Sequence, residues 1–374
     1  MTPDRPGHDT LVARLTPWLL DRLVEDHGHG VDEVSLHDVA RPVVGQSSDL
    51  WTYRLTWQLR GRQHEARQVV RREPAPDGIF LRPDVLREAA ILRGLAGSSV
   101  PVPSVRWTEQ SGRVLDRPFF VMDLVPGRVP GAKPSIHSTG WLTGLSPTER
   151  RTLWDNAMDA LVGVHQVRWE DDLGFLAPAG DATGAGAHLR RLTAWYRWAA
   201  RERSFAIPDV ALRWLQDNVS RAGGGPDALV WGDARVGNMI FGPDGTVEAV
   251  LDWEVASIGP REIDVAHWLV FDELATDAIG VTRLEGLPGR DESIDTYEER
   301  SGHALASLDF FEVQQAFFLA TTLIRQADRR VARGELEPGT RMAHENAATI
   351  LLARRLGLEV PELSADYQRH RGGS

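Results

Sequence analysis

The chain has no cysteine. Disulfides and thiolate metal sites are therefore excluded, and the fold must rest on non-covalent packing. It has one lysine, Lys133, so nearly all cationic chemistry falls to arginine. Nowhere do about eighteen apolar residues run together, as a membrane-spanning helix requires. The N-terminal residues carry scattered charges and no apolar block ending in small residues, the pattern of a secretory signal. Without that pattern and without cysteine, a cytoplasmic location is expected. Basic charge is also in deficit: Lys and Arg total 42 against 53 Asp and Glu, a formal net charge of −11. Neither nucleic acid nor a membrane surface is expected as a partner, and a monomer or homodimer is expected. The 374 residues, 42% hydrophobic and 25% charged, suffice for two units that each bury a core.

The most informative stretch runs from Leu229 to Glu254. Leu229, Val230 and Trp231 form an apolar approach to a polar loop, Gly232-Asp233-Ala234-Arg235-Val236-Gly237-Asn238. Met239-Ile240-Phe241 then reads as a short strand, Gly242-Pro243-Asp244-Gly245 as a turn, and Ala249-Val250-Leu251 as part of a second strand. Such a hairpin holds Asp233, Asn238 and Asp252 near one another. Phosphoryl transfer asks for this set: one carboxylate orients the attacking hydroxyl, while an amide oxygen and a second carboxylate hold Mg²⁺ against nucleotide phosphates. Magnesium keeps several of its waters, so two protein ligands are enough. An isolated Asp-x4-Asn is more often a structural turn. Here the flanking strands and the Leu251-Asp252 exit favour the chemical reading.

These residues resemble the aminoglycoside phosphotransferase family, small-molecule kinases with a protein-kinase-like fold. The resemblance is strongest to the branch of kinase-like domains joined to acyl-CoA dehydrogenases. That branch reads His-Gly-Asp-x-Arg-x-Gly-Asn and then Leu-Asp-Trp-Glu. The chain keeps Gly232, Asp233, Arg235, Gly237, Asn238, Asp252, Trp253 and Glu254, and has Trp231 in place of the histidine. The family's histidine packs beneath the metal-binding segment, so the resemblance implies altered packing there. It also implies that Asp264 is the buried carboxylate that braces the catalytic loop, with Pro260 standing where the family has Asp. The resemblance covers about residues 40 to 275.

Upstream, Gly45, Ser47 and Ser48 sit in a small-polar turn and can offer backbone N–H and hydroxyl donors to phosphate oxygens. The turn is similar to the family's Gly-Gln-Ser-Asn nucleotide loop. Gln68-Val69-Val70-Arg71-Arg72 reads as a strand, with Arg71 and Arg72 on opposite faces. Protein kinases carry on the corresponding strand a lysine that holds phosphates and pairs with a helix glutamate. With no lysine here, Arg71 or Arg72 must serve. The resemblance favours Arg71, paired with Glu88 on a helix from Asp84 to Leu95. Arg117–Gly127 resembles the family's last N-lobe strand and hinge, which implies that the backbone of Asp123 to Val125 meets the nucleotide base.

Apolar residues at helical spacing between Asp9 and Glu25 form a face for packing on a lobe. Ser146-Pro147-Thr148-Glu149 starts a helix with a capping box. His165, near the end of that helix, reads as a cap or core residue. The stripe Leu192, Trp195, Tyr196 and Trp198 reads as core, with a pocket lining as the alternative. The expected organisation is a helical extension over 1–39, a nucleotide-binding N-lobe over 40–125 and a helical C-lobe over 126–374 with the catalytic loop at 229–254. The expected fold is α+β, bilobal and protein-kinase-like, with a mainly antiparallel N-lobe.

The expected function is Mg²⁺-dependent transfer of the γ-phosphoryl group from ATP, or GTP, to a hydroxyl of a small molecule. Asp233 would act on the hydroxyl, while Asn238 and Asp252 would hold the metal. The resemblance leaves the acceptor open between an aminoglycoside or other sugar-bearing antibiotic and a hydroxyacyl-CoA or hydroxy acid. Asp272, Glu273 and Asp277 suit an amine-rich acceptor, or are simply an exposed helix end. Trp231 and the missing lysine also fit a second class, a nucleotide-binding pseudokinase without transfer activity.

Overall fold

The computed structural model describes residues 7–42, 49–131, 135–177, 184–223 and 225–372. They fall into two compact units. The first comprises the described residues up to Gly78 with Arg82–Ala96 and Val102–Pro126. The second comprises Ile79–Leu81, Gly97–Pro101 and the described residues from Gly127 onward.

The first unit contains α1 (His8–His27), β1 (Val31–Ala40), β2 (Asp49–Leu59), β3 (Arg62–Arg72), α2 (Val85–Leu95), β4 (Val105–Glu109) and β5 (Phe119–Asp123). Its strands form one antiparallel sheet in the order β1-β2-β3-β5-β4. Arg60 and Gly61, both at positive φ, close the β2–β3 hairpin in two residues, the turn that matches strand twist. Period-2 alternation then turns Trp51, Tyr53 and Leu55 into one core with Leu11, Leu15, Leu19 and Leu23 of α1.

Residues 7–39 of the expected extension are thus part of this unit: α1 packs into its core and β1 is the edge strand of its sheet. The register of β1 against β2 shifts twice, and Glu33 and Asp38 lie at positive φ beside the shifts. Bulges of this kind break the period of two, which is why no strand pattern shows in the sequence. The turn holding Gly45, Ser47 and Ser48 lies outside the described residues.

The second unit contains α3 (Pro147–His165), α4 (Trp169–Asp172), α5 (Gly184–Ala200), α6 (Ala206–Asn218), β6 (Ala228–Val230), β7 (Met239–Phe241), β8 (Val247–Val250) and β9 (Ser257–Gly259). It continues with α7 (Glu262–Ala275), α8 (Arg290–Ser301), α9 (Leu308–Ala332), α10 (Ala347–Leu356) and α11 (Ala365–Gly372). The Ser146–Glu149 capping box is formed and starts α3. Phe310, Phe311, Phe317 and Ile324 make α9 the spine of the core. Trp195 and Tyr196 of α5 pack against Phe318 and Phe317 with ring centroids 5.1 and 4.9 Å apart, so that stripe is core and not a pocket lining. Two short antiparallel pairs, β6–β9 and β7–β8, flank the polar loop. Among the described residues no helix is long and apolar enough to cross a membrane.

Candidate active site

The loop after β6 is held from below by one carboxylate. Asp264, fully buried at the start of α7, accepts from the Trp231 amide through Oδ2 and from the Gly232 amide through Oδ1, both at 2.6 Å. His165 Nε2 meets the same Oδ2 at 3.1 Å, and its Nδ1 meets the Tyr297 hydroxyl at 2.7 Å. This is the bracing that the resemblance implied, and His165 joins it as a buried core residue, one of the two readings its position allowed. Gly232 turns the chain at φ +90°, where a Cβ would lie 2.9 Å from both Cγ2 and the carbonyl oxygen of Val255. Only glycine fits there.

That turn presents Asp233. Its Oδ1 accepts from Arg235 Nε at 3.0 Å and from His267 Nε2 at 2.9 Å. Its Oδ2 accepts from Asn238 Nδ2 at 2.7 Å and more distantly from Arg235 Nη2 at 3.4 Å. Burial alone would raise this carboxyl, but the Arg235 guanidinium and the His267 hydrogen bond prevail and hold it well below the usual carboxylate range. Asp233 is therefore an anion at neutral pH.

Asn238 ends a single 3-10 turn and is 4% exposed. Its amide nitrogen is committed to the backbone and side chain of Asp233. Its Oδ1 accepts no hydrogen bond among the described residues, so the amide oxygen is left for a cation. The Leu251 amide donates to the Asn238 carbonyl at 2.9 Å, extending the β7–β8 ladder by one pair, so Asp252 is the residue immediately after the one opposite Asn238. Asp252 sits in the left-handed region at φ +58°, a conformation that costs about 1–2 kcal/mol in an L-residue and that Asp tolerates better than most. Among the described residues no group of three or more His, Asp or Glu could hold a metal. The donor set is one amide oxygen and one carboxylate, which fits a hard cation that keeps its waters.

The Trp231 substitution has a structural consequence. Its buried indole Nε1 donates to the Leu251 carbonyl at 2.8 Å, and its ring lies 5.9 Å from that of Trp253. The side chain thereby pins the strand exit immediately before Asp252.

In the first unit, Arg71 Nε lies 2.6 Å from Glu88 Oε2, with both side chains buried. Arg72 turns to the opposite face, where Asp49 accepts from its Nε at 3.0 Å and the Leu115 carbonyl from its Nη1 at 2.8 Å. At the end of β5 the Asp123 amide donates to the Ser104 carbonyl and the Leu124 amide to the Arg67 carbonyl. The Val125 backbone makes no hydrogen bond among the described residues, so of Asp123 and Val125 it is the one with its amide open to a ligand.

His267 is the residue that sequence reasoning missed. Its only trace was its phase: it follows Asp264 by three positions on α7, so both face the loop.

The fold is of the protein-kinase-like class, and its loop carries the donor types that phosphoryl transfer uses. A family model for APH, the phosphotransferase enzyme family, matches residues 39–311, and the chain belongs to that family. It is similar to acyl-CoA dehydrogenase family member 10 of Mus musculus, 29% identical over 229 residues that cover 60% of this chain and 19% of that protein. The matches span between 19% and 36% of the lengths of its curated relatives. Its fold is similar to that of a Ralstonia eutropha JMP134 protein assigned as an aminoglycoside phosphotransferase, with a TM-score of 0.63, 23% identity and coverage of 91% of this chain and 98% of that one. It is also similar to aminoglycoside phosphotransferase APH(4)-Ia, solved with ADP and hygromycin B, with a TM-score of 0.55, 14% identity and coverage of 90% and 98%.

Proposed function

We propose that this chain transfers the γ-phosphoryl group of ATP to a hydroxyl of a small molecule. The observation that carries the reading is the Asp233–Asn238 pair. One side chain is an anion oriented by three donors, and the other keeps an amide oxygen that accepts no hydrogen bond among the described residues. The acceptor oxygen forms a bond to the γ-phosphorus as the bond to the β–γ bridging oxygen breaks. ADP leaves and the hydroxyl proton passes to Asp233. A carboxylate held this far below the ordinary range is a weak base, so its main work is orienting the hydroxyl, with proton transfer late in the step. Mg²⁺, held by Asn238 and Asp252, would neutralise phosphate charge. Arg71, steadied by Glu88, would supply the phosphate cation, with Gly45, Ser47 and Ser48 as further donors and Val125 as the base contact.

The wall beside Arg235 bears on the acceptor. A narrow slot of about 40 Å³ is lined mainly by apolar residues such as Trp154, Trp268 and Phe271, with Arg235, His137 and Asp272 as its polar side chains. Arg235 Nη1 is buried there without a hydrogen-bond partner among the described residues. Asp272 is paired with Arg283 and also meets the His137 ring, and Glu273 is paired with Arg355, so these two acids present little net charge to a polyamine. A largely apolar slot, with its one acid paired to Arg283 and a guanidinium donor left over among the described residues, supports a hydroxy acid or hydroxyacyl thioester over an aminoglycoside. The similarity to acyl-CoA dehydrogenase family members is in keeping with that class.

The test is a screen of hydroxy acids, hydroxyacyl thioesters and aminoglycosides with Mg-ATP, read by ADP release and product mass. Asp233→Asn should lower turnover by about 10²- to 10⁴-fold and leave nucleotide affinity nearly unchanged. Full turnover in that variant would remove Asp233 from the reaction. Nucleotide binding with no transfer to any acceptor would make the protein a pseudokinase.

A further inference from the structure

One of the three donors to Asp233 is a fully buried side chain, and it does more than hold the charge. We propose that His267 is a positioning residue: it donates its Nε2 proton to Asp233 Oδ1, so that Oδ2 is the oxygen that receives the proton of the acceptor hydroxyl. The inference rests on the phosphotransfer reading and adds to it which atom of Asp233 works and what holds it in place.

Three observations carry it. His267 has no solvent exposure, and its Nε2 lies 2.9 Å from Oδ1. A carboxylate only accepts, so this nitrogen must carry a proton. The ring is fixed on its other sides. Its Nδ1 lies 3.1 Å from the side-chain amide of buried Gln315 on α9, Phe271 stacks at 5.9 Å, and Phe318 meets it edge-on at 5.6 Å. An amide can meet Nδ1 with either its oxygen or its nitrogen, so Gln315 holds the ring whichever way it is turned.

The third observation is the asymmetry of the carboxylate. Oδ1 receives two well-formed hydrogen bonds, from His267 and Arg235 Nε. Among the described residues Oδ2 receives one, from Asn238, and a marginal approach from Arg235 Nη2 at 3.4 Å. The open lone pair is therefore on Oδ2, on the side of the proposed metal ligand. Without His267 the carboxylate could rotate about its Cβ–Cγ bond, and the open position would wander.

The test uses the whole chain. His267→Phe keeps the aromatic packing against Phe271 and Phe318 and deletes the donor. His267→Gln restores an N–H at about the place of Nε2. ADP release from Mg-ATP is measured with water as acceptor and with whichever compound the wild type phosphorylates. His267→Phe should lower kcat by about 10- to 100-fold, the scale of a hydrogen bond to a charged group, with the KM for ATP unchanged. His267→Gln should recover most of the loss, and in an Asp233→Asn background His267→Phe should add almost nothing. Wild-type kcat in His267→Phe would overturn the proposal. Should His267→Phe not fold, ¹⁵N shifts of the imidazole in the wild type decide: a proton on Nε2 supports the proposal, and a proton on Nδ1 alone overturns it. Absence of ADP release from the wild type would count against the phosphotransfer reading, while the nitrogen shifts would still report on the contact.

Discussion

Two positions carry unusual side chains, Trp231 where the resembling family has histidine and Arg71 where protein kinases have lysine, and each comes with a compensating contact. A buried indole needs an acceptor for its N–H. Trp231 finds one in the Leu251 carbonyl, so the substitution ties the loop to the segment that delivers Asp252. Arginine in place of lysine brings a planar fork instead of a point charge, and Glu88 meets it at Nε. Sequence alternation separated Arg71 from Arg72 but could not say which one meets Glu88, because that depends on which face of β3 is covered. Arg72 points where Asp49, Leu115 and the Trp51 ring close over it. That is a tertiary fact with no local trace.

A pH dependence also belongs at this scale. His344 stacks on Phe205 at 4.7 Å, and burial, then Arg341 and Arg203, lower its pKa. In the folded chain it takes a proton later than in the unfolded chain as pH falls. Its stabilising contribution is therefore complete above the unfolded value, about 6.5, and is lost as pH drops from there toward the folded value. His344→Phe should make the fall in urea stability between pH 7.5 and 5.5 shallower than in the wild type. Parallel slopes in the two proteins would refute this.

Among the elements, α7 organises the site. One turn of it sends Asp264 to the backbone of the loop and His267 to its carboxylate. Removing Asp264 strands two buried amides and His165 at once. Asp264→Ala should therefore cost about 3–5 kcal/mol, seen as a lower urea midpoint at unchanged slope. A loss below about 1 kcal/mol would mean that water or a rearranged loop replaces the carboxylate. The polar loop, the β7–β8 hairpin and the α3 capping box were legible because their signals are local: turn residues, short apolar runs and a cap within a few positions. The strand β1 was not, because its bulges erase the alternation that marks a strand. His267 was not, because it lies 34 residues from Asp233 and only the packing of α7 joins them.

Over the whole molecule, the proposed metal ligands and Asp233 all lie in the second unit, while Arg71 and Glu88 lie in the first. The chain carries a formal charge of −11, so a bare triphosphate approaches against long-range repulsion, and a divalent cation lessens that repulsion as well as bridging the contact. Nucleotide stabilisation should thus depend on the cation more than on the nucleotide. Mg-ATP at about 100 times its Kd should add about 2.7 kcal/mol. For a cooperative unit of roughly 150–250 residues that is an increase in Tm of about 5–10 °C. Hydrogen exchange should slow over residues 231–254, which would assign the effect to the second unit. ATP with EDTA should give a much smaller shift. Asp252→Asn, which keeps a side chain tolerant of the left-handed backbone, should lose most of the Mg²⁺-dependent part while melting like the wild type without ligand. An equal shift with and without Mg²⁺ would show that this amide and carboxylate do not hold the cation, and the metal assignment would have to be given up even if transfer activity were found.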